Sequence, residues 1–567
     1  MKKKSFYDEV EELLKKDKRF VSDKGELLRN AVFEAAQKMD AKLLQALHAN
    51  STTRKRFFTD VDGIAVFDKQ QFGWVVSNRA FLPDSYTRFR NKIGLAVGDD
   101  MIASSRNVEL VFPYKDCILE GGQTKEEQKR DEIFYNTTLA PDEVDRLLAP
   151  KVLTKAVRYD AQGKHNVETF DHDRENLIIK GNNLLSIASL LEQFEGRVML
   201  IYLDPPYNTE SDSFGYNDTF NHSSWLSFMK DRLLLAKRLL SPSGSIYVQL
   251  DYNEVHYFKV LMDEVFGADC FQREIIWDTQ VLSGYKTMVD NWIRGHDSIL
   301  FYTRQPKGFK FHKQRMAHRK EYLDRFDKVD ENGRRYFDGR GQIRYLDEAI
   351  ANGKPVGDVW YDIMSFQQIP TAKERVEFST QKPEALIRRI IQAATDEGDL
   401  ILDFFSGSGT TGAVAHKLGR RYIMCEQIES QLKIQIKRMS GVVRGKDPGA
   451  LAVELGWKGG GSFVYCELAM SNQKFVERIE AAKKDSELEK IWDEMLATGF
   501  ISCKIDPSAF SMKDEDFKAL PLKDKKRILM DLLDMNQLYV NYCDIDDKTF
   551  RVSAADKAFT KSFYGGK

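Results

Sequence analysis

Cysteine is scarce and scattered in this chain. Cys117, Cys270, Cys425, Cys466, Cys503 and Cys543 stand among 567 residues, with no Cys-x-x-Cys pair and no histidine at zinc spacing. That pattern excludes a disulfide-framed secreted module and a structural metal site, so no metal is expected. No apolar run is long enough to cross a bilayer. The opening Met1-Lys2-Lys3-Lys4-Ser5-Phe6 has the charges of a signal peptide without an apolar core behind them, and a cytoplasmic protein is expected. A basic excess is missing too: 85 Lys and Arg face 86 Asp and Glu, a net charge of −1. Any nucleic-acid surface must therefore be local. Helicase and nuclease motifs are absent, so strand cleavage would need a separate subunit.

What the chain does have is Asp204-Pro205-Pro206-Tyr207, directly after the apolar run 198–203. The run reads as a buried parallel strand, and two consecutive prolines forbid its continuation. A carboxylate, two carbonyls freed from any ladder and an aromatic ring are left at the strand's carboxyl end, where open α/β sheets bind ligands. The set suits a flat base with an exocyclic amine. Asp204 and a proline carbonyl accept its hydrogens, and Tyr207 stacks on its ring. A strand stop with a chance Asp and a packed Tyr is the plainer reading of four residues alone.

A second site weighs against that plainer reading. Asp403-Phe404-Phe405-Ser406-Gly407-Ser408-Gly409-Thr410-Thr411 follows the strand candidate 400–402 and leads into a helical stretch at 412–418. Strand, glycine loop and helix N-terminus form the general recipe for a nucleotide-like cofactor. A phosphate loop needs Lys-Ser/Thr after its last glycine, but here Gly412 is followed by Ala413-Val414. A cofactor without phosphates, such as S-adenosyl-L-methionine, fits better. Glu426, at the end of the next strand candidate 421–426, is available for its ribose.

The two motifs together resemble the S-adenosylmethionine-dependent amino methyltransferases of DNA. Their order, catalytic block first, is similar to the β-class arrangement with its target recognition domain between the blocks. Thr380-Gln381-Lys382-Pro383-Glu384 matches the helix-opening motif beside the cofactor, and Asp in the first catalytic position favours adenine N6. Further stretches resemble the Mod subunits of Type III restriction-modification systems: 180–185, Asn208-Thr209, 225–229, 112–117 and 536–541. The resemblance implies an α/β, Rossmann-like methyltransferase sheet with an inserted recognition domain and N- and C-terminal accessory regions. It also implies a site-specific adenine-N6 methyltransferase acting on a flipped adenine in double-stranded DNA. Asp204, Pro205, Pro206 and Tyr207 would be catalytic. Asp403, Phe405, Gly407, Gly409, Thr410, Glu426, Lys382, Pro383 and Asn182 would hold S-adenosyl-L-methionine, Lys382-Pro383 on its methionine side. Asn182 stands where many β-class enzymes carry Asp for the adenine amine. The implied partners are a second copy of the chain and a helicase-nuclease restriction subunit. A solitary DNA methyltransferase, or one acting on RNA or protein, is the alternative.

The expected organisation is an N-terminal accessory region (1–165), a catalytic block (166–302), a target recognition domain (303–375), a cofactor block (376–440) and a C-terminal dimerisation or partner-binding region (441–567). Charge supports the recognition segment. Between Arg304 and Arg344 thirteen Lys and Arg face six acids, interleaved with six Phe and Tyr and followed by Tyr345. A smaller basic patch, 88–92, reads equally well as ordinary surface. The glycine-rich stretch 441–461 reads as a linker or hairpin.

Overall fold

The computed structural model describes residues 6–22, 25, 27–61, 63–69, 72, 75–76, 96–97, 100–101, 110–112, 114–120, 133–136, 141–209, 221–279, 288, 290–339, 341–501, 515–534 and 537–565. The 88–92 patch lies outside them. The chain divides into two compact units, Met1–Val108 and Glu109–Lys567, so a boundary falls well before the one expected near residue 165. In the first unit, helices Phe6–Leu14, Arg29–Gln37, Ala41–Ala49 and Ser51–Phe57 and a hairpin of Phe58–Val61 with Ile64–Phe67 enclose a core around Leu43, Leu47, Phe57 and Phe72.

The second unit is organised by an eleven-stranded sheet. Its strands in chain order are β1 (Leu153–Tyr159), β2 (Lys164–Asn166), β3 (Leu177–Lys180), β4 (Val198–Leu203), β5 (Leu240–Leu250), β6 (Phe271–Asp278), β7 (His296–Thr303), β8 (Val359–Trp360), β9 (Leu400–Asp403), β10 (Arg421–Glu426) and β11 (Phe463–Leu468). Across the sheet they run β8-β6-β7-β5-β4-β9-β10-β3-β11-β1-β2. The six central strands from β5 to β11 are mutually parallel, and antiparallel pairings extend the sheet on both sides. Side chains alternate between two cores. Leu177, Ile201, Leu402 and Ile423 face one; Ile178, Leu200, Ile401 and Tyr422 face the other. Burial on both faces explains why these strands read as continuous apolar runs.

Helices α1 (Asn183–Phe194), α2 (His222–Leu239) and α3 (Val255–Phe266) pack into the first core; α4 (Glu384–Ala394), α5 (Thr410–Lys417) and α6 (Glu429–Val443) pack into the second. From β4 the chain crosses outward to β5, and from β9 it crosses the other way to β10. The strand order thus reverses between β4 and β9, which is where open α/β sheets leave a crevice.

Several expectations shift. The stop drawn at Ser241–Gly244 is already part of β5, which begins at Leu240. Residues 110–112 form no strand. The stretch 441–461, expected as a linker or hairpin, is packed: α6 runs on to Val443, helix Ala450–Glu454 buries Leu451, and the Gly460 N–H donates to the Val443 carbonyl at 2.8 Å. Strands β1 and β11 come from regions expected to be accessory, yet pair with each other and widen the central sheet. Helix α7 (Ala554–Phe563) closes over β1: Thr560 Oγ1 accepts from the Leu153 N–H at 3.0 Å and donates to the Leu153 carbonyl at 2.9 Å.

Charge locks the second-core helices together. Lys417, with a fully buried ammonium, donates to both Glu384 oxygens at 2.8 and 2.7 Å and to Asp447. Arg438 joins Glu384 at 2.9 Å and donates to the Thr410 hydroxyl at 2.8 Å. Glu374 accepts from the Glu384 N–H at 3.2 Å and feels the charges of both Arg438 and Lys417. Burial, then the Glu384 charge, pushes Glu374 up to about 7. Burial does the same for Asp231 and Asp403, each to about 7.

Two outcomes are expected. Between its ordinary value of 4.5 and about 7, Glu374 holds a proton in the folded state that the unfolded chain releases. Its contribution is therefore complete below the lower value and lost as pH rises through the upper one, with Asp231 and Asp403 acting in the same sense. Melting temperatures should fall from about pH 5 to about pH 8, and Glu374→Gln should flatten that slope; equal slopes would contradict the assignment. Thr560→Val leaves both Leu153 backbone groups unpaired in a buried place and should cost about 1–3 kcal/mol in denaturant unfolding.

Candidate active site

The crevice between β4 and β9 opens into a cleft of about 720 Å³. Asp204, Pro205, Pro206 and Tyr207 leave the end of β4 and line one part; Asp403, Phe405, Gly407 and Thr410 leave β9 and line another. Lys382, just before α4, completes the wall. Parallel pairing of Leu200 with Ile401 and Ile201 with Leu402 brings the two motifs side by side.

Asp204 is held by its own chain. Tyr207 Oη donates to Oδ1 at 2.8 Å, and Lys382 Nζ lies 2.5 Å from Oδ2 and 5.1 Å from the Tyr207 ring. Burial raises the Asp204 pKa above the usual carboxylate range, opposed by the Lys382 charge. The Pro206 carbonyl accepts from Trp225 Nε1 at 2.9 Å, whereas the Pro205 carbonyl takes no hydrogen bond from the described residues. One proline carbonyl is thus spent on rigidity and the other is left to accept from a ligand. Behind Tyr207, Asn208 adopts a left-handed φ of 57° and donates to the buried Glu254 at 2.6 Å, which His222 also contacts at 2.8 Å. These contacts fix the turn where the prolines end the strand.

The glycine loop is shaped by sterics. Gly407 has φ 44°, and a Cβ there would sit 3.1 Å from the Phe378 ring; Gly409 has φ 74°, and a Cβ would sit 2.8 Å from Gln435 Cγ. Asp403 braces the loop from beneath, accepting from the Phe405 N–H at 3.0 Å and the Thr411 hydroxyl at 2.6 Å. Thr410 in turn donates to the Lys382 carbonyl at 3.3 Å, tying the loop to the segment before α4.

Four expected cofactor residues stand apart from the cleft surface. Glu426 is buried, accepting from the Gly407 N–H at 3.0 Å and the Ile428 N–H at 2.9 Å, so it shapes the loop backbone. Asn182 caps α1, its Oδ1 accepting from the Leu184 N–H at 3.0 Å. Its own N–H donates to Tyr539 Oη at 3.2 Å, a contact from the C-terminal stretch. Pro383 caps α4 through its carbonyl, and Gly409 opens α5. Sequence reasoning missed Trp225 as the clamp on Pro206, the Lys382–Asp204 pair, and Gln431. Gln431 lines the cleft with a buried amide oxygen that accepts no hydrogen bond from the described residues. Trp225 did lie in a stretch singled out by resemblance; Gln431 carried no signal beyond following Glu426.

The cleft suits S-adenosylmethionine. Its neutral donors and acceptors, Ser379, Thr380, Ser406, Ser408, Ser430 and Gln431, match hydroxyls, amines and a purine edge better than phosphates. The bare glycine edge admits a ligand where side chains would collide.

In the neighbouring segment expected to carry target recognition, residues 309–312 are fixed to the sheet unit. Lys310 pairs with Asp399 at 2.5 Å and Asp396 at 2.7 Å, and the His312 N–H donates to the Ala393 carbonyl at 2.7 Å. Further out, a three-stranded sheet of Lys328–Val329, Arg335–Gly339 and Gln342–Tyr345 packs Phe337 on the fully buried Phe326. Part of the basic excess is internal: Arg334 pairs with Asp347 and Glu348, and Arg335 donates to the Phe326 carbonyl. Lys307, Lys313, Lys320, Lys328 and Arg344 remain exposed.

Residues 198–437 match the family model "DNA methylase", and residues 40–95 match "Type III restriction/modification enzyme methylation subunit". The solved M1.HpyAVI–SAM complex aligns over 46% of this chain and 98% of its own at 19% identity, and the cytosine-N4-specific PvuII DNA methyltransferase over 46% and 86% at 16%. Their TM-scores of 0.32 and 0.31 are too low to bear on the fold, which rests on the sheet itself. Among curated relatives, the StyLTI Mod subunit of Salmonella typhimurium is 26% identical over 46% of this chain and 54% of its own. A probable type III restriction-modification enzyme Mod subunit of Haemophilus influenzae, HindVI, is 30% identical over 96% of both chains. With similarity running through both motif blocks and the flanking regions alike, the chain belongs to the family of Type III restriction-modification Mod subunits.

Proposed function

We propose that Asp204, the Pro205 carbonyl and Tyr207 receive an adenine turned out of duplex DNA, while the loop 403–411 and Lys382 face the methyl donor. A Type III Mod subunit is an S-adenosylmethionine-dependent DNA adenine methyltransferase, and this chain is one. The observation that supports the residue assignment is the shared cleft: Asp204 and the glycine loop leave adjacent strands at the point where strand order reverses.

An adenine amine inside a stacked duplex is out of reach, so the nucleotide must leave the helix. Asp204 and the Pro205 carbonyl then accept the two N6 hydrogens, drawing the amine toward a tetrahedral, more nucleophilic geometry. Tyr207 stacks on the ring, returning about 1–3 kcal/mol of lost stacking. The cofactor supplies an electrophilic methyl group on a sulfonium that departs as a neutral thioether. Asp204, with its raised pKa, is able to take up the proton N6 gives off. Fixed partners on Asp204, Pro206 and Asn208 mean that most of the rate comes from positioning.

The exposed cations of the recognition segment support a grip on phosphates there. Relatives described as subunits support a restriction partner, and a homodimer is the further expectation of the family resemblance. The five described cysteines are free thiols, in keeping with a cytoplasmic setting, and no helix among the described residues is long and apolar enough to cross a membrane.

Sequencing that detects modified bases, in a host expressing the chain, should reveal N6-methyladenine at one short site; Asp204→Ala should remove it. Retained methylation in that variant would refute the role of Asp204. Gly407→Val should weaken binding of S-adenosylhomocysteine by about tenfold or more in calorimetry, because the new side chain meets Phe378. Unchanged affinity would count against the loop.

A further inference from the structure

Both oxygens of Asp204 are already engaged by the protein: Oδ1 by Tyr207 and Oδ2 by the Lys382 ammonium, whose side chain is only 11% exposed. Resting on the site reading above, the target amine must donate to this same carboxylate. An ammonium 2.5 Å from Oδ2 competes with that amine for the acceptor. It also opposes the positive charge that gathers on N6 as the methyl bond forms. The Lys382 charge at this position therefore works against the role proposed for Asp204. Withdrawing one member of a buried pair is costly unless another counter-charge takes over.

The described residues lining the cleft include two cations, Lys382 and Arg294. Arg294 is committed to Asp251 at 3.0 Å and Asp297 at 2.5 Å, both buried. Lys382 is thus the cation that can follow an incoming anion, on a flexible four-carbon stem. Its main chain already sits on the cofactor side, where Thr410 donates to its carbonyl.

We propose that Lys382 is a positioning residue that occupies the catalytic carboxylate in the unloaded enzyme and transfers its ammonium to the amino-acid carboxylate of the cofactor, so that cofactor binding frees Asp204 for the base. Cofactor and target base then bind with positive coupling, and the coupling is reciprocal. The carboxylate of the cofactor acts as the key; its nucleoside part alone does not.

The test measures binding to a duplex carrying the site found by modified-base sequencing, with and without S-adenosylhomocysteine. The wild-type chain should bind that duplex about tenfold more tightly with the compound present. 5′-Methylthioadenosine, which keeps the nucleoside and thioether but lacks the carboxylate, should leave DNA affinity unchanged at saturation. Lys382→Met should bind DNA with one affinity in all three conditions, and Lys382→Arg should restore the difference. Equal coupling by the two compounds, coupling retained in Lys382→Met, or none in the wild type would each overturn the proposal. The first of these readouts needs no variant, so misfolding cannot hide the answer. The Asp204→Ala sequencing experiment tests the site by itself; a chain that methylates through Asp204 without this coupling refutes only the role of Lys382.

Discussion

Two residue pairs, Leu200 with Ile401 and Ile201 with Leu402, join stretches of chain about 200 positions apart. A parallel pairing of this kind has no local turn to enforce it, so its register depends on the two cores that its side chains enter alternately. Slipping β4 by one residue against β9 would turn Leu200 toward the wrong core. It would also carry Asp204 away from the loop that starts at Asp403. The geometry of the site is therefore set inside the sheet, before any residue of the cleft contributes.

A second layer of support is electrostatic. Glu384 stands one residue after Pro383 and gathers Lys417 and Arg438, and Arg438 reaches the Thr410 hydroxyl that also touches the Lys382 carbonyl. Lys382, which pairs with Asp204, and the helix after the glycine loop are thus tied through one buried cluster. Breaking such a cluster leaves an uncompensated charge indoors, which gives it leverage over the cleft beyond what its distance suggests.

Much of this was legible in the chain. Strands β3, β4, β5, β7, β9 and β10 announce themselves as apolar runs, and 204–207 and 403–411 stand out because paired prolines and close glycines have few structural uses. The sheet edges were harder. Strand β1 is half-polar, and its partner β11 lies about 300 residues away, so no local pattern ties either to the core. The role of Asn182 was also ambiguous: an Asn after a strand both caps helices and accepts from ligands, and here it caps. Glu426 is similar, since a carboxylate that could take ribose hydroxyls is equally suited to two backbone N–H groups. Lys382 was recognised as a site residue but placed on the cofactor side, because nothing in its neighbours reveals that the stem reaches Asp204.

The chain leaves the sheet at Thr303 and returns at Val359, adding a short strand beside β6. Between these points lies a small fold with its own aromatic centre, rooted by Lys310 and the His312 N–H. Exit and return both lie on the same flank of the sheet, beyond β5 and away from the cofactor strands. Changes within that segment would therefore disturb few contacts of the cleft. Its outer face is free to diverge in sequence while the sheet and the cleft keep their geometry.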